Sequence, residues 1–181
     1  MTKSIEDLFD DFAEDILGEN SPRIIIIVGS SKIDDFLAEI IKKGLLPKIA
    51  SINEQDELLE GDYPLSTFSS RIKISYRLGF IDNSLYKILE KIRKIRNIGA
   101  HQLSFNIASS PLREHVFDLF LLVENRRSFL LTKERYFQNN LDTTIDKLKC
   151  AILSICAILQ VVNIKISKPK IRRSIYKITS N

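Results

Sequence analysis

An all-helical fold is predicted by two observations: apolar residues recur every three to four positions in segment after segment, and 181 residues hold only six glycines and five prolines. The first is the period of a helix that buries one face. The second leaves little material for the tight turns of an all-β fold, and no turn chemistry of the hairpin type links the apolar runs. A hydrophobic fraction of 44% beside 28% charged residues is ordinary globular composition, and the length suits one core. The expected architecture is a single-domain multi-helix bundle of about six principal helices with a basic C-terminal tail.

Each element has its own signature. Residues 4–17 place Ile5, Leu8, Phe9, Phe12 and Ile16 at helical spacing with acids on the other side, an acidic amphipathic helix. Ser21-Pro22 then supplies an N-cap residue and a proline at the first helical position. The segment 23–46 opens on Ile24-Ile25-Ile26-Ile27-Val28 before Gly29-Ser30-Ser31, which also suits the first strand and turn of a nucleotide-binding fold. The phosphate-cradling motifs need further glycines or a Gly-Lys-Ser/Thr ending, and Gly29 stands alone. The helical reading therefore leads: one long helix through Ile33, Phe36, Leu37, Ile40 and Ile41, stopping near Gly44 and Pro47. A short helical turn over 54–60 and a break at Gly61-Asp62-Tyr63-Pro64 follow. Further helices are expected over 66–78, closed by Gly79; over 84–101, capped by Asp82 or Asn83; from Ser109, Ser110 and Pro111 to about Glu124; and over 141–162.

The helix 84–101 carries the strongest pattern. On a wheel of 3.6 residues per turn, Leu85, Ile88, Leu89, Ile92 and Ile95 occupy about 120° of arc, and Gly99 falls within it, where a missing side chain lets a neighbouring backbone approach. Glu90, Arg93, Asn97 and His101 gather on another side, with Asn97 and His101 four residues apart. Arg96 lies at the border and is expected to need a carboxylate, with Asp34, Asp35 or Glu39 as partner. Two readings of this cluster stand side by side. In one it binds an anion or cleaves a phosphodiester, His101 moving the proton. In the other, Arg96 and Asn97 brace neighbouring helices and His101 ends its helix near the negative dipole.

Several classes are disfavoured. Residues 1–20 carry seven acids and one lysine, unlike a secretory signal, which predicts a cytoplasmic location. The longest uncharged run, 150–164, is too short for a bilayer span. Cys150 and Cys156 lie six apart in one helical run and read as buried free thiols. With only His101 and His115 besides, no zinc-type spacing exists, so neither metal nor cofactor is expected. Positive charge concentrates at the end: Lys165, Lys168, Lys170, Arg172, Arg173 and Lys177, with no acid, give 164–181 a charge of +6, against +4 for the whole chain. The other 163 residues are net −2, a poor general platform for phosphates, which leaves the tail as the expected nucleic-acid or partner contact.

The block from Pro64 to Ile81, containing Ser66-Thr67-Phe68-Ser69-Ser70-Arg71 and Tyr76-Arg77-Leu78-Gly79-Phe80, and the block Ile92-Arg93-Lys94-Ile95-Arg96-Asn97-Ile98-Gly99-Ala100-His101 together resemble the mannitol operon repressor family in order and spacing. The resemblance spans about residues 21–163, leaving 1–20 as an N-terminal helix and 164–181 as the tail. It implies a helical transcriptional repressor that lacks its own DNA-reading module and acts through another protein, such as a transcription factor. The R-N-x-x-A-H set also looks like the HEPN superfamily, which implies an alternative: a metal-independent ribonuclease with Arg96, Asn97 and His101 at a site composed across a homodimer. The chain departs from the repressor pattern at Gly99, where an aromatic residue is usual. No helix-turn-helix pattern is present, and nothing points to mannitol as a ligand.

Overall fold

The computed structural model describes residues 5–47, 56–101, 105–107 and 112–169. Among them are seven helices and no strand: α1 (Ile5–Gly18), α2 (Pro22–Gly44), α3 (Phe68–Arg77), α4 (Asn83–His101), α5 (Leu112–Val123), α6 (Arg127–Phe137) and α7 (Thr144–Lys165). The all-helical expectation holds, with one helix more than the sequence pattern supplied.

Helix α2 settles the ambiguous isoleucine run. Ser21 Oγ accepts from the Ile24 amide and Pro22 occupies the first turn, so the chain enters 24–28 already helical. A strand would put 24, 26 and 28 on one face; instead Ile25 and Ile26 are both buried while Ile24 and Val28, four apart, are exposed. The modest helix propensity of β-branched residues is outweighed by burial of Ile25, Ile26, Ile33, Leu37, Ile40 and Ile41, each side chain contributing about 1.5–3 kcal/mol. Gly29 is a packing residue: a Cβ there would lie 2.6 Å from Ile152 Cγ2. The Ser30 hydroxyl donates to the Ile27 carbonyl within the same helix, so the Gly-Ser-Ser sequence does not interrupt it.

Helices α2 and α7 form the central pair, and they run parallel. Gly29 meets Ile152, while about three to four turns further on Glu39 accepts from Asn163 Nδ2 and Lys43 Nζ donates to the Asn163 carbonyl. The antiparallel hairpin of α3 and α4 packs on one flank of α2, α5 bridges α4 and α7, and α6 covers another side of α7. Asp82 Oδ1 accepts from the Leu85 amide and caps α4, as its sequence indicates. Gly79, with φ of +74°, ends the α3 segment in the left-handed region that favours glycine. Thr143 and Asp146 form a reciprocal capping box on α7, and in the described part of the 54–60 segment the amides of Leu59 and Glu60 both donate to the Asp56 carbonyl, the single turn the sequence suggests. The opening expected for α5 at Ser109, Ser110 and Pro111 lies outside the described residues.

Residue Gly99 is buried as the wheel requires, but what approaches it are the side chains of Phe105 and Ile26, at 3.1 and 3.3 Å from a built Cβ. Both cysteines are free and buried. Burial pushes the Cys150 thiol up to about 12 and raises Cys156 as well, which keeps them from the reactive thiolate form. Neither should react with a thiol-specific disulfide reagent in the native protein over an hour at pH 7.5, whereas both should react at once in denaturant. Fast native labelling would disprove their burial.

Candidate functional site

The C-terminal half of α4 and the α3 flank beside it carry the chain's polar chemistry. Arg93 donates from Nε to Glu90 Oε1 at 3.1 Å and from Nη2 to Glu90 Oε2 at 2.8 Å. This bidentate pair holds the Glu90 carboxyl below its usual range and the Arg93 guanidinium above its own. Asn97 and His101 are exposed one helical turn apart, about 6 Å along the axis.

The structure does not gather Arg96 with them. Its half-buried guanidinium lies over the Phe68 ring, 5.9 Å from the centroid, on the side facing α3. The expected carboxylate partner is also corrected. Asp34 feels the charge of Arg96, yet its ion pair is with Arg71, whose Nη1 is 3.0 Å from Asp34 Oδ1. Asp35 does not pair with Arg96 among the described residues, and Glu39 accepts from Asn163. A flat guanidinium on an aromatic face is stabilised without a carboxylate, which is why Arg96 tolerates the border position.

The sequence reading passed over Arg71. Its Nε donates to the Leu65 carbonyl at 2.9 Å and its Nη2 to the Leu59 carbonyl at 2.8 Å, while Nη1 pairs with Asp34. One side chain thus ties the 56–65 loop and α3 to α2. Asp34 is raised above its ordinary value, burial outweighing the opposing pull of Arg71. The available signal was an arginine one turn into a predicted helix with no carboxylate at i±3 or i±4, implying a distant partner.

Among the described residues no group of His, Cys, Asp and Glu suits a metal ion, and no helix is long and apolar enough to cross a membrane. Lys165 and Lys168 are exposed; Lys170, Arg172, Arg173 and Lys177 lie outside the described residues.

No family model and no curated protein matches the chain. Two solved structures do. One is the MtlR–HPr complex from Escherichia coli, with TM-score 0.60 and 14% identity over 83% of this chain and 97% of that one. The other is YggD of Shigella flexneri 2a, described as a possible transcriptional regulator, with TM-score 0.60 and 14% identity over 89% of this chain and 99% of that one. At this identity the likeness establishes the fold: an MtlR-like helical fold spanning nearly the whole of both solved chains.

Proposed function

We propose that the protein is a repressor-type transcriptional regulator that works by binding another protein and has no DNA-reading module of its own. The observation that carries this reading is the shared fold along 97% of an MtlR chain determined in complex with a protein, HPr. The sequence resemblance to the mannitol operon repressor family points the same way. So does the polar set on α4: Arg96 faces α3 while Asn97 and His101 face outward, an arrangement that suits a contact surface better than a single-chain acid–base centre.

The direct test is calorimetric titration of the full chain with purified HPr. A saturable one-to-one heat is the expected result, and its loss on altering exposed α4 residues would locate the contact. The nuclease alternative rests on the paired exposure of Asn97 and His101, which would need a second copy of the chain to complete a site. For the regulator, single-stranded RNA incubated with the protein in chelator should remain intact. Metal-independent cleavage that disappears in His101→Ala would replace the regulator reading with the nuclease one.

A further inference from the structure

The −2 charge of residues 1–163 conceals a strong internal separation. Residues 63–101 hold eight Lys and Arg against two acids, Asp82 and Glu90, for a net charge of +6, as large as that of the tail. Four of the eight are engaged: Arg71 with Asp34, Lys91 with Asp118, Arg93 with Glu90, and Arg96 over Phe68. The other four, Lys73, Arg77, Lys87 and Lys94, are exposed and form no ion pair among the described residues.

These four share one face. Tyr76 of α3 and Tyr86 of α4 pack with ring centroids 5.0 Å apart and planes tilted by 39°, and Glu90 of α4 feels both Lys73 of α3 and Lys94 of its own helix. Lys73 and Arg77 thus line one side of the tyrosine pair, Lys87 and Lys94 the other. Tyr76 keeps 39% of its surface exposed. The face also meets the root of the tail. The Phe80 ring, just after α3, rests on Gly44 at the end of α2; there Lys42 and Lys43 occupy the last turn, and Lys43 holds the Asn163 carbonyl near the end of α7. The chain continues from there through the exposed Lys165 and Lys168, so the α3–α4 face and these two lysines lie toward one end of the molecule.

We propose that the α3–α4 face is a binding track for single-stranded nucleic acid, reading backbone and base stacking rather than sequence. A polyanion matches a face whose four cations have no ion-pair partner among the described residues, and an exposed tyrosine between rows of cations is the arrangement on which unpaired bases stack. Lys87 and Lys94, seven residues apart, span about 10.5 Å, a reach of roughly two phosphates. A second copy of the chain fits less well. Across a two-fold axis the face would meet its own like charge, and the acidic α1 is anchored elsewhere, against α6 through Asp10 and Arg135, so its pairing with this face would propagate head to tail. The track shares α4 with the proposed protein contact, goes beyond it in ligand class, and requires no cleavage.

Fluorescence anisotropy with a labelled 20-nucleotide oligothymidylate and the full chain tests this, with salt varied from 50 to 300 mM. Single strand should bind at least about tenfold more tightly than duplex of the same length. Replacing Lys73, Arg77, Lys87 and Lys94 together by alanine should weaken binding about 100-fold and flatten the log–log salt slope by roughly 3, from about 0.7 per phosphate neutralised. Tyr76→Ala should weaken binding at least about fivefold with the slope unchanged. His101→Ala should bind like the wild type, which separates this track from any nuclease site. All of these positions are exposed, and circular dichroism confirms the fold of each variant. Wild-type affinity in the fourfold variant would assign all binding to the tail and overturn the proposal. Equal affinity for duplex, or polyglutamate competing as well as the oligonucleotide, would overturn it too.

Discussion

Replacing Arg71 by alanine should lower the melting temperature by about 6–12 °C. The change leaves Asp34 as an uncompensated, largely buried carboxylate and removes the donor to the Leu59 and Leu65 carbonyls. Breaking such a pair costs about 3 kcal/mol, and each kcal/mol moves the midpoint of a chain this size by about 2–4 °C. The cost should depend on pH with a definite sign. Burial raises Asp34 above its ordinary value and Arg71 opposes that rise, so in the variant its proton is held still more firmly. Above the raised value the variant carries an orphan anion and the gap to wild type is widest; as pH falls through it, Asp34 is neutralised and the gap narrows. It should not close, because the two carbonyl bonds are lost at any pH. Arg96→Ala, losing only a cation–π contact, should cost no more than about 1–2 kcal/mol. A larger loss from Arg96 than from Arg71 would reverse the assignment of the anchor.

The second large effect is expected at Gly29. Any Cβ there enters the space of Ile152 Cγ2, 2.6 Å away, between two residues that are both buried. Alanine recovers about 1 kcal/mol of helix propensity against the clash. Valine adds two more carbon atoms to the same contact and should destabilise by about 3 kcal/mol. The origin is testable through a double-mutant cycle. Gly29→Val combined with Ile152→Ala should be more stable than the sum of the single changes by at least about 1 kcal/mol, because the truncated partner makes room. Additive losses would mean that Gly29 is required for backbone conformation and not for the close approach of α2 to α7.

What was legible in the sequence was what local periodicity encodes. The α4 stripe Leu85, Ile88, Leu89, Ile92 and Ile95 is buried as drawn on the wheel, since a helix that buries one face writes it every 3.6 residues. Helix α6 was not legible. Only Phe129 and Thr132 are buried along it, Arg126 at its N-cap makes no side-chain capping bond to the helix, and Leu130 and Leu131 are exposed, so it has neither a start signal nor a clean stripe. Its end, Gln138 and Asn139 at positive φ, lacks the glycine that usually announces such a stop. The Arg71 anchor joins residues brought together only by folding. The α3–α4 charge was present in the sequence, but summing charge over 163 residues cancelled it against the acids of the first sixty.

The parallel course of α2 and α7 bears on how the chain is made. In an up-and-down bundle each helix finds its neighbour soon after it is synthesised. Here the main partner of α2 is α7, the last helix among the described residues, which begins 100 residues after α2 ends and closes at Lys165. At about 5–20 residues per second, the face bearing Ile25, Gly29 and Ile33 waits roughly 6–24 s for its cover while the ribosome completes the intervening helices. Contacts so distant in sequence also slow folding. During that interval the nascent protein displays an apolar stripe that the finished molecule hides.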